Sequence, residues 1–262
     1  MNFFKLDSNS YSSLSERMLR FDDIFTYPLG DEIFKISHGK NYFKFFERLG
    51  ELRFTGYENK GEIAIVAASI LRTVNQQKVW YLCDLKVHPN YRNKKLTTKL
   101  VYRNFIPQIL KSRKFYAISM DKRGEENKTL KILKHVKLNF FKNAGKIVIY
   151  SLSKQQLTNA ALFIEKYKGK IGSISLKSIK DIVLQSTQKP MRLNHLVFNS
   201  EYGLSQYDEK LKEDDIFMFC TKEDGQLHTT LTSIGIRESS TATVIHHGME
   251  NWNWEFINTS EI

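Results

Sequence analysis

Residues 78–88, KVWYLCDLKVH, place a phenol, a thiol, a carboxylate and an imidazole within one short strand-like run. Alternation puts Val79, Tyr81, Cys83, Leu85 and Val87 on one face, and Trp80, Leu82, Asp84, Lys86 and His88 on the other. Tyr81 and Cys83 are poor general bases at neutral pH, with reference pKa values of about 10 and 8.5. Asp84 is the only acid on this strand, and alternation turns it away from Tyr81 and Cys83. A structural role, bonding neighbouring backbone, suits it as well as a chemical one. The run passes through His88-Pro89 into a basic loop, residues 92–97 (RNKKLT), and then into a segment with helical spacing. Free N–H groups at a helix start attract phosphate oxygens. The layout of 80–101 therefore suits a ligand that carries a pyrophosphate.

The elements that must position this run can be read around it. Residues 11–25 have helical spacing, and 32–37 alternate as a short strand. Asn41 stands as the cap of a helix over NYFKFFERLG that Gly50 stops. Residues 53–57 and 62–73 form a hairpin through Glu58-Asn59-Lys60-Gly61, and Asn75-Gln76-Gln77 turns the chain back into 78–88. The helix after the loop carries Leu96, Leu100, Val101 and Phe105 on one face, and Pro107 should end or kink it. KFYAISM (114–120) is the next strand, reached by a crossover and so parallel to 78–88. Residues 125–136 read as a helix with Leu130, Leu133 and Val136 inward, and 146–152 as a strand.

Composition shifts at 153–157, which sets a first unit at 1–153, with 1–31 as a helical extension, and a second, smaller α/β lobe at 154–262. In that lobe 159–167 is helical, and 174–184 fits strand and helix equally. Residues 215–220, 227–236 and 241–247 read as strands, the first two joined across Asp224-Gly225. Trp252 and Trp254 share a face if the tail is a strand, and burial is their expected role. No repeat of fixed period is visible.

The net charge of +12 is uneven. Residues 1–153 hold 28 Lys+Arg against 14 Asp+Glu, while 154–262 hold 12 against 14. Within 86–146 there are 17 basic residues and 3 acidic ones. The excess thus gathers around the loop, as attraction of a polyanion requires; a lysine-rich solvated surface is the plainer explanation for many of these residues. No run of about 18 apolar residues suggests a membrane span, and the first residues do not form a secretion signal. The two cysteines, Cys83 and Cys220, read as free buried thiols in a reducing cytoplasm. No Cys/His set has metal-ligand spacing.

Three local patterns resemble the GNAT (Gcn5-related) N-acetyltransferases: DLKVHPNYRNKKLTTKL, Asn127 opening the helix after KFYAISM, and Leu138-Asn139-Phe140 before the last strand of this half. The resemblance covers roughly 32–153. It implies an α+β fold, a mixed and mostly antiparallel sheet flanked by helices. It also implies two parallel strands that splay to admit the pantetheine of acetyl-CoA. Backbone of Leu85, Lys86 and Val87 would face the pantetheine, and Arg92, Asn93, Lys94, Lys95, Leu96 and Thr97 the pyrophosphate, with Asn127 beside the cofactor. The family pattern Gln/Arg-x-x-Gly-x-Gly/Ala is kept at Arg92, but Lys95 and Thr97 replace the small residues. A lysine of negative φ leaves the backbone accessible and adds a charge; the opposite reading is a fold that has lost CoA.

For catalysis the resemblance points to the level of Tyr81 and Cys83, with Asp84 beside them, for the base. For the acid it points late in the helix after KFYAISM, at His135 or, by the other count, Lys134. Tyr150 is a further donor candidate. The function implied is transfer of an acetyl group, or a longer acyl group, to an amine of a small molecule or protein. The alternative is a non-catalytic CoA-sensing or nucleic-acid-binding module on the same fold. Acceptor, oligomeric state and the role of 154–262 are not readable.

Overall fold

A computed structural model of the chain describes residues 1–7, 9–29, 32–135, 140–199, 212 and 214–262; the side chains of residues 28, 29, 105 and 135 stand outside that description. In chain order come β1 (Asn2–Lys5), α1 (Tyr11–Asp22), β2 (Tyr27–Leu29), β3 (Glu32–Ser37), α2 (Lys44–Glu47), β4 (Glu51–Asn59), β5 (Glu62–Val74) and β6 (Gln77–Val87). Then follow α3 (Leu96–Ile109), β7 (Phe115–Met120), α4 (Lys128–His135), β8 (Lys142–Ser153), α5 (Lys154–Lys168), β9 (Ile171–Ser175) and β10 (Asp181–Leu184). The last elements are β11 (Leu193–Phe198), β12 (Ile216–Lys222), α6 (Gln226–Ser233) and β13 (Ser240–His247), with single 3₁₀ turns at Trp254–Phe256 and Thr259–Glu261. Val136 and the Leu138-Asn139 of the sequence motif lie outside the described residues, as does the side chain of Phe105.

Among the described residues, ten strands form one sheet in the order β1-β4-β5-β6-β7-β13-β8-β12-β11-β9, and β10-β3-β2 form a second. The large sheet is antiparallel except at β6/β7 and β11/β12. The fold is α+β, mostly antiparallel, with helices on its faces, as the sequence predicts. Local chemistry accounts for the turns. Lys60-Gly61 and Asn75-Gln76 all have positive φ, the geometry that two-residue hairpin loops need. Leu14, Met18 and Phe21 bury one stripe of α1. Ser153 and Gln156 form a capping box that turns β8 directly into α5.

One face of the sheet carries a core built from Phe54, Tyr81, Tyr116, Ile149, Cys220 and Val244 together with α1, α2 and the C-terminal turns. On the other face α3 covers Trp80 and Val87, while α5 and α6 cover Tyr150 and Phe219. A motif occurs twice: two parallel strands, a helix, and one more strand. It runs β6, β7, α4, β8 and then β11, β12, α6, β13. The final strands are exchanged, since β13 pairs with β7 while β8 pairs with β12. They also pair with each other, antiparallel.

Several expectations need correction. Residues 227–236 are not a strand; 226–233 form α6. Its threonines favour strands on propensity, but the hydroxyls of Thr229 and Thr230 donate to the carbonyls of Gly225 and Gln226, four residues back. Leu227 and Leu231, one helical turn apart, are buried. Gly225 is accordingly a helix cap and not a hairpin turn. The tryptophan tail forms a 3₁₀ turn, with Trp254 buried. The segment after Asn41 holds only four helical residues, although the Asn41 side chain does accept from the Phe43 N–H. Residues 174–184, open in sequence, supply the end of β9 and all of β10.

Leu231 is wholly buried between α6, α5 and the sheet. Leu231→Ala should therefore lower stability by about 3 kcal/mol, as large cavities in a core do, measured by urea unfolding. A loss below about 1 kcal/mol would show that α6 does not pack there.

Candidate active site

The site begins where β6 and β7 part. They pair only at Trp80–Phe115, Tyr81–Tyr116 and Leu82–Ala117. Beyond those rungs β7 keeps its ladder to β13 as far as Met120, and β6 keeps its ladder to β5 as far as Val87. The two inner edges therefore enclose a V. Its apex is closed by Tyr81 stacked on Tyr116, ring centroids 4.8 Å apart. Arg72 donates to the Tyr116 hydroxyl and forks onto both carboxylate oxygens of Glu261, at 2.8 and 2.6 Å.

A bulge shapes the open part of β6. Val66 pairs with Lys86 while Ala68 pairs with Cys83, so β6 holds one extra residue, and Asp84 takes φ 54°. A bulge of this kind resets alternation. Asp84 and Lys86 accordingly share the face of Tyr81 and Cys83, contrary to the sequence reading, while Val87 packs beneath α3. The Lys86 ammonium lies 2.5 Å from Asp22 Oδ1 and 2.5 Å from Asp84 Oδ1, and donates to the Tyr42 hydroxyl at 3.0 Å. Tyr42 in turn donates to Asp84 Oδ2 at 2.6 Å. His38 Nε2 stands 3.5 Å from Asp22 Oδ2. Burial alone would lower the pKa of Lys86, but Asp84, Tyr42, Tyr27 and Asp22 hold it well above its ordinary value. Burial raises Asp22 against the pull of Lys86, and drives His38 down to about 2.

The phosphate-loop candidate follows. A 3₁₀ turn at Pro89–Tyr91 is tied to the β4–β5 hairpin, where the Tyr91 hydroxyl donates to Glu62 at 2.7 Å and accepts from Asn59. Asn93 and Lys95 both adopt left-handed φ, 60° and 55°. Lys95 occupies the position of the family's first glycine and takes the conformation glycine would take, so the expectation of a negative φ is corrected. Lys95 is also the N-cap of α3 and makes no side-chain cap bond. No described protein group accepts from the N–H groups of Leu96, Thr97 and Thr98. Arg92, Lys94 and Lys95 are exposed and pair with no described carboxylate. An uncapped helix start, left-handed loop backbone and cations without a described carboxylate partner favour an anion such as a pyrophosphate, so the residues present are compatible with that part of CoA.

The remaining candidates are dispersed. Burial pushes the Cys83 thiol and the Tyr81 phenol well up, which favours their protonated forms. Asn127 caps α4 by accepting from the N–H groups of Thr129 and Leu130, and donates to Ser119 O and Asp121. Those bonds engage both amide hydrogens and the oxygen. His135 is the last residue of α4, and its side chain is outside the described residues. Tyr150 lies in the core beneath α5 and α6, stacked on Phe219 and bonded to His228 Nδ1 at 2.8 Å, and does not join the β6 cluster. Sequence reading missed Asp22, His38 and Tyr42; the buried acid in α1 was the available signal. Among the described residues no His, Cys, Asp and Glu side chains gather as a metal site, and no helix is long and apolar enough to cross a membrane.

The model of the Acetyltransferase (GNAT) family matches residues 18–128. This segment belongs to the GNAT family. The GNAT match begins inside α1, so part of the helix set apart as an extension falls within it. An uncharacterized protein of Acanthamoeba polyphaga mimivirus is 25% identical over 238 residues, covering 85% of this chain and 68% of that protein. Two solved structures share the GNAT fold. One is a tandem GNAT protein from the clavulanic acid biosynthesis pathway, at TM-score 0.55, 8% identity, and coverage of 94% of this chain and 97% of that one. The other is a GCN5-related glucosamine N-acetyltransferase region within a fungal multi-domain β-N-acetylglucosaminidase, at TM-score 0.56, 12% identity, and coverage of 94% and 38%.

Two measurements test this geometry. Lys95→Gly should raise stability by about 1 kcal/mol, because it relieves a left-handed residue that carries a Cβ; an unchanged or lower urea midpoint would contradict the φ of 55°. His38 is buried neutral, with its pKa driven from 6.5 to about 2. Its contribution is therefore present above pH 6.5 and lost as the pH falls towards 2, at up to about 1.4 kcal/mol per unit. His195, held at about 3 mainly by burial, adds in the same sense. Asp22, raised by burial, offsets part of the loss at the acid end. Stability measured from pH 7 to 4 should fall, and His38→Gln should make the slope visibly shallower; parallel slopes would contradict the buried neutral imidazole.

Proposed function

We propose that this chain is a CoA-dependent N-acyltransferase that moves an acetyl group from acetyl-CoA to an amine by direct attack. One observation carries the reading: β6 leaves β7 beside the uncapped, unpaired and basic start of α3. The backbone of Leu85, Lys86 and Val87 then offers the free edge to pantetheine amides. The N–H groups of Leu96 and Thr97, with Arg92, Asn93, Lys94 and Lys95, receive the pyrophosphate. Bound acetyl-CoA supplies an activated thioester and a thiolate leaving group. On the Tyr81 face of β6, Asp84 is the carboxylate that would accept a proton from the attacking amine. Cys83 and Tyr81, whose pKa values burial raises, can hold a proton for the departing sulfur. The acceptor is an amine of a small molecule or protein. Two free thiols suit a reducing cytoplasm. The doubled strand–strand–helix–strand motif supports reading 154–262 as a reduced second GNAT-like half.

A second reading, a CoA sensor without catalysis, is favoured by one feature. Asp84 is already engaged by Lys86 and Tyr42. Nucleic-acid binding is less well supported, because Lys111, Lys122, Lys134 and Lys142 outside the loop are paired with Glu51, Glu125, Glu126 and Glu250.

Calorimetric titration with acetyl-CoA decides the first step. Binding should be saturable and weakened about tenfold or more in Arg92→Ala/Lys94→Ala, since each tenfold corresponds to about 1.4 kcal/mol. No heat at millimolar acetyl-CoA with the folded state confirmed would overturn the proposal. Binding without thiol release across a panel of amines would select the sensor.

A further inference from the structure

The pairing of β11 with β12 repeats that of β6 with β7. These strands are also parallel, and they also pair through three rungs only: Leu193–Ile216, Asn194–Phe217 and His195–Met218. Beyond them β11 continues beside β9 to Phe198, and β12 continues beside β8 to Lys222. A second V therefore opens in the C-terminal half. It differs from the first in what lies across it, and the linking stretches differ in sequence. The stretch linking β6 to β7, residues 88–114, holds eight basic residues and no acidic one, whereas the stretch linking β11 to β12, residues 199–215, holds two lysines and six acids.

The second V is already engaged by the chain. Asn258 Nδ2 donates to the carbonyl of Leu196, just past the last rung of β11, at 2.9 Å. The Thr259 hydroxyl donates to Met218 O, on the last rung of β12, and lies 3.0 Å from His195 Nδ1. Glu255 Oε1 accepts from the Lys222 N–H and from the Thr221 hydroxyl, and Cys220 Sγ donates to Ile257 O. Lys168, its side chain 5% exposed, clamps Glu255 Oε2 at 2.5 Å and also donates to the Glu255 carbonyl. Trp254, Ile257, Thr259 and Ser260 are buried. Side-chain amide, hydroxyl and carboxylate groups thus supply the partners that strand edges demand when no strand lies between them.

We infer that residues 254–262 are the resident occupant of this second V, an intramolecular ligand that leaves one acyl-CoA site per chain. The count of one rests on the function proposed above; the seating of the tail does not. The same segment ends on Arg72 through Glu261, so it also braces the apex of the first V.

Two experiments test the inference. By native mass spectrometry and calorimetry with acetyl-CoA, the intact chain should take one equivalent, lost in Arg92→Ala/Lys94→Ala. Two equivalents, or one that survives this change, would overturn the inference. The second experiment uses no CoA. In a Cys83→Ser background, Cys220, 2% exposed, should be protected from a disulfide-exchange reagent. Glu255→Ala/Asn258→Ala should speed its labelling by about tenfold or more, as local opening becomes easier, while far-UV circular dichroism is unchanged. Asn258→Ala alone serves if the pair fails to fold. Rapid labelling of Cys220 with the tail intact, or equal protection after the substitutions, would overturn the seating. Absent acetyl-CoA binding with a protected Cys220 would remove the proposed function and leave the occupied second V standing.

Discussion

Among the described residues no strand neighbours the inner edge of β6 beyond Leu82, and peptide groups on such an edge require partners. The rest of the site is arranged around that edge. The strand cannot leave β5 as well, because its other side is what holds it in the sheet. It accordingly bends away from β7 while keeping its ladder to β5, and the extra residue at Asp84 makes the bend. The extra residue also shifts phase. Lys86, which regular alternation would direct towards α3, is brought to the α1 face. There it meets Asp22 and Asp84, and all three are nearly inaccessible to water. Two carboxylates share one ammonium, so loss of Lys86 would strand both acids away from water at a cost of several kcal/mol. The cluster consequently fixes where Cys83 and Asp84 stand, and ties α1 to the strand that opens.

The loop solves a related problem without glycine. A backbone that curls its N–H groups towards an anion needs left-handed residues, and asparagine reaches that region readily. Asn93 fits this rule; Lys95 does not, and its strain is of order 1–2 kcal/mol. The loop is held by Tyr91, anchored between Asn59 and Glu62, and by the buried contacts of Leu96 and Leu100 below it. Strained backbone tends to persist where the surroundings over-determine it, and such places are often functional. What Lys95 adds is charge where the ligand carries the opposite sign. Arg92 and Lys94 likewise pair with no described carboxylate, so the loop trades flexibility for attraction.

The parts legible in sequence were those governed by local rules. Asn75-Gln76 and Lys60-Gly61 announce hairpins, and alternation in 62–73 and 78–88 gives the strands. The crossover from 78–88 to 114–120 gives the parallel pair. The bulge was not legible, because a single inserted residue leaves the apolar pattern almost intact; the one trace is an aspartate, a residue tolerant of left-handed φ, in the middle of an apolar run. Asp22, His38 and Tyr42 reach Lys86 from α1 and the segment before α2, and nothing local ties those positions to β6. In α6 the threonines outvoted the spacing of Leu227 and Leu231, although hydroxyls bonding back to carbonyls make threonine acceptable in a short helix.

The exchange of β8 and β13 sets how far the two halves can be considered apart. A cut at 153/154 falls at the junction of β8 with α5 and appears clean along the chain. In space it would remove β13 from between β7 and β8, exposing both edges in the middle of the sheet. It would also remove Glu261 from Arg72 at the apex of the first V. An open, apolar strand edge is an invitation to pair with another chain. The N-terminal half therefore owes a central strand to the last quarter of the sequence. Pairings of such long sequence separation are slow to form because loop closure precedes any gain. The V between β6 and β7 is complete only when β13 has been placed, so cofactor-site formation and closure of the whole sheet are one event.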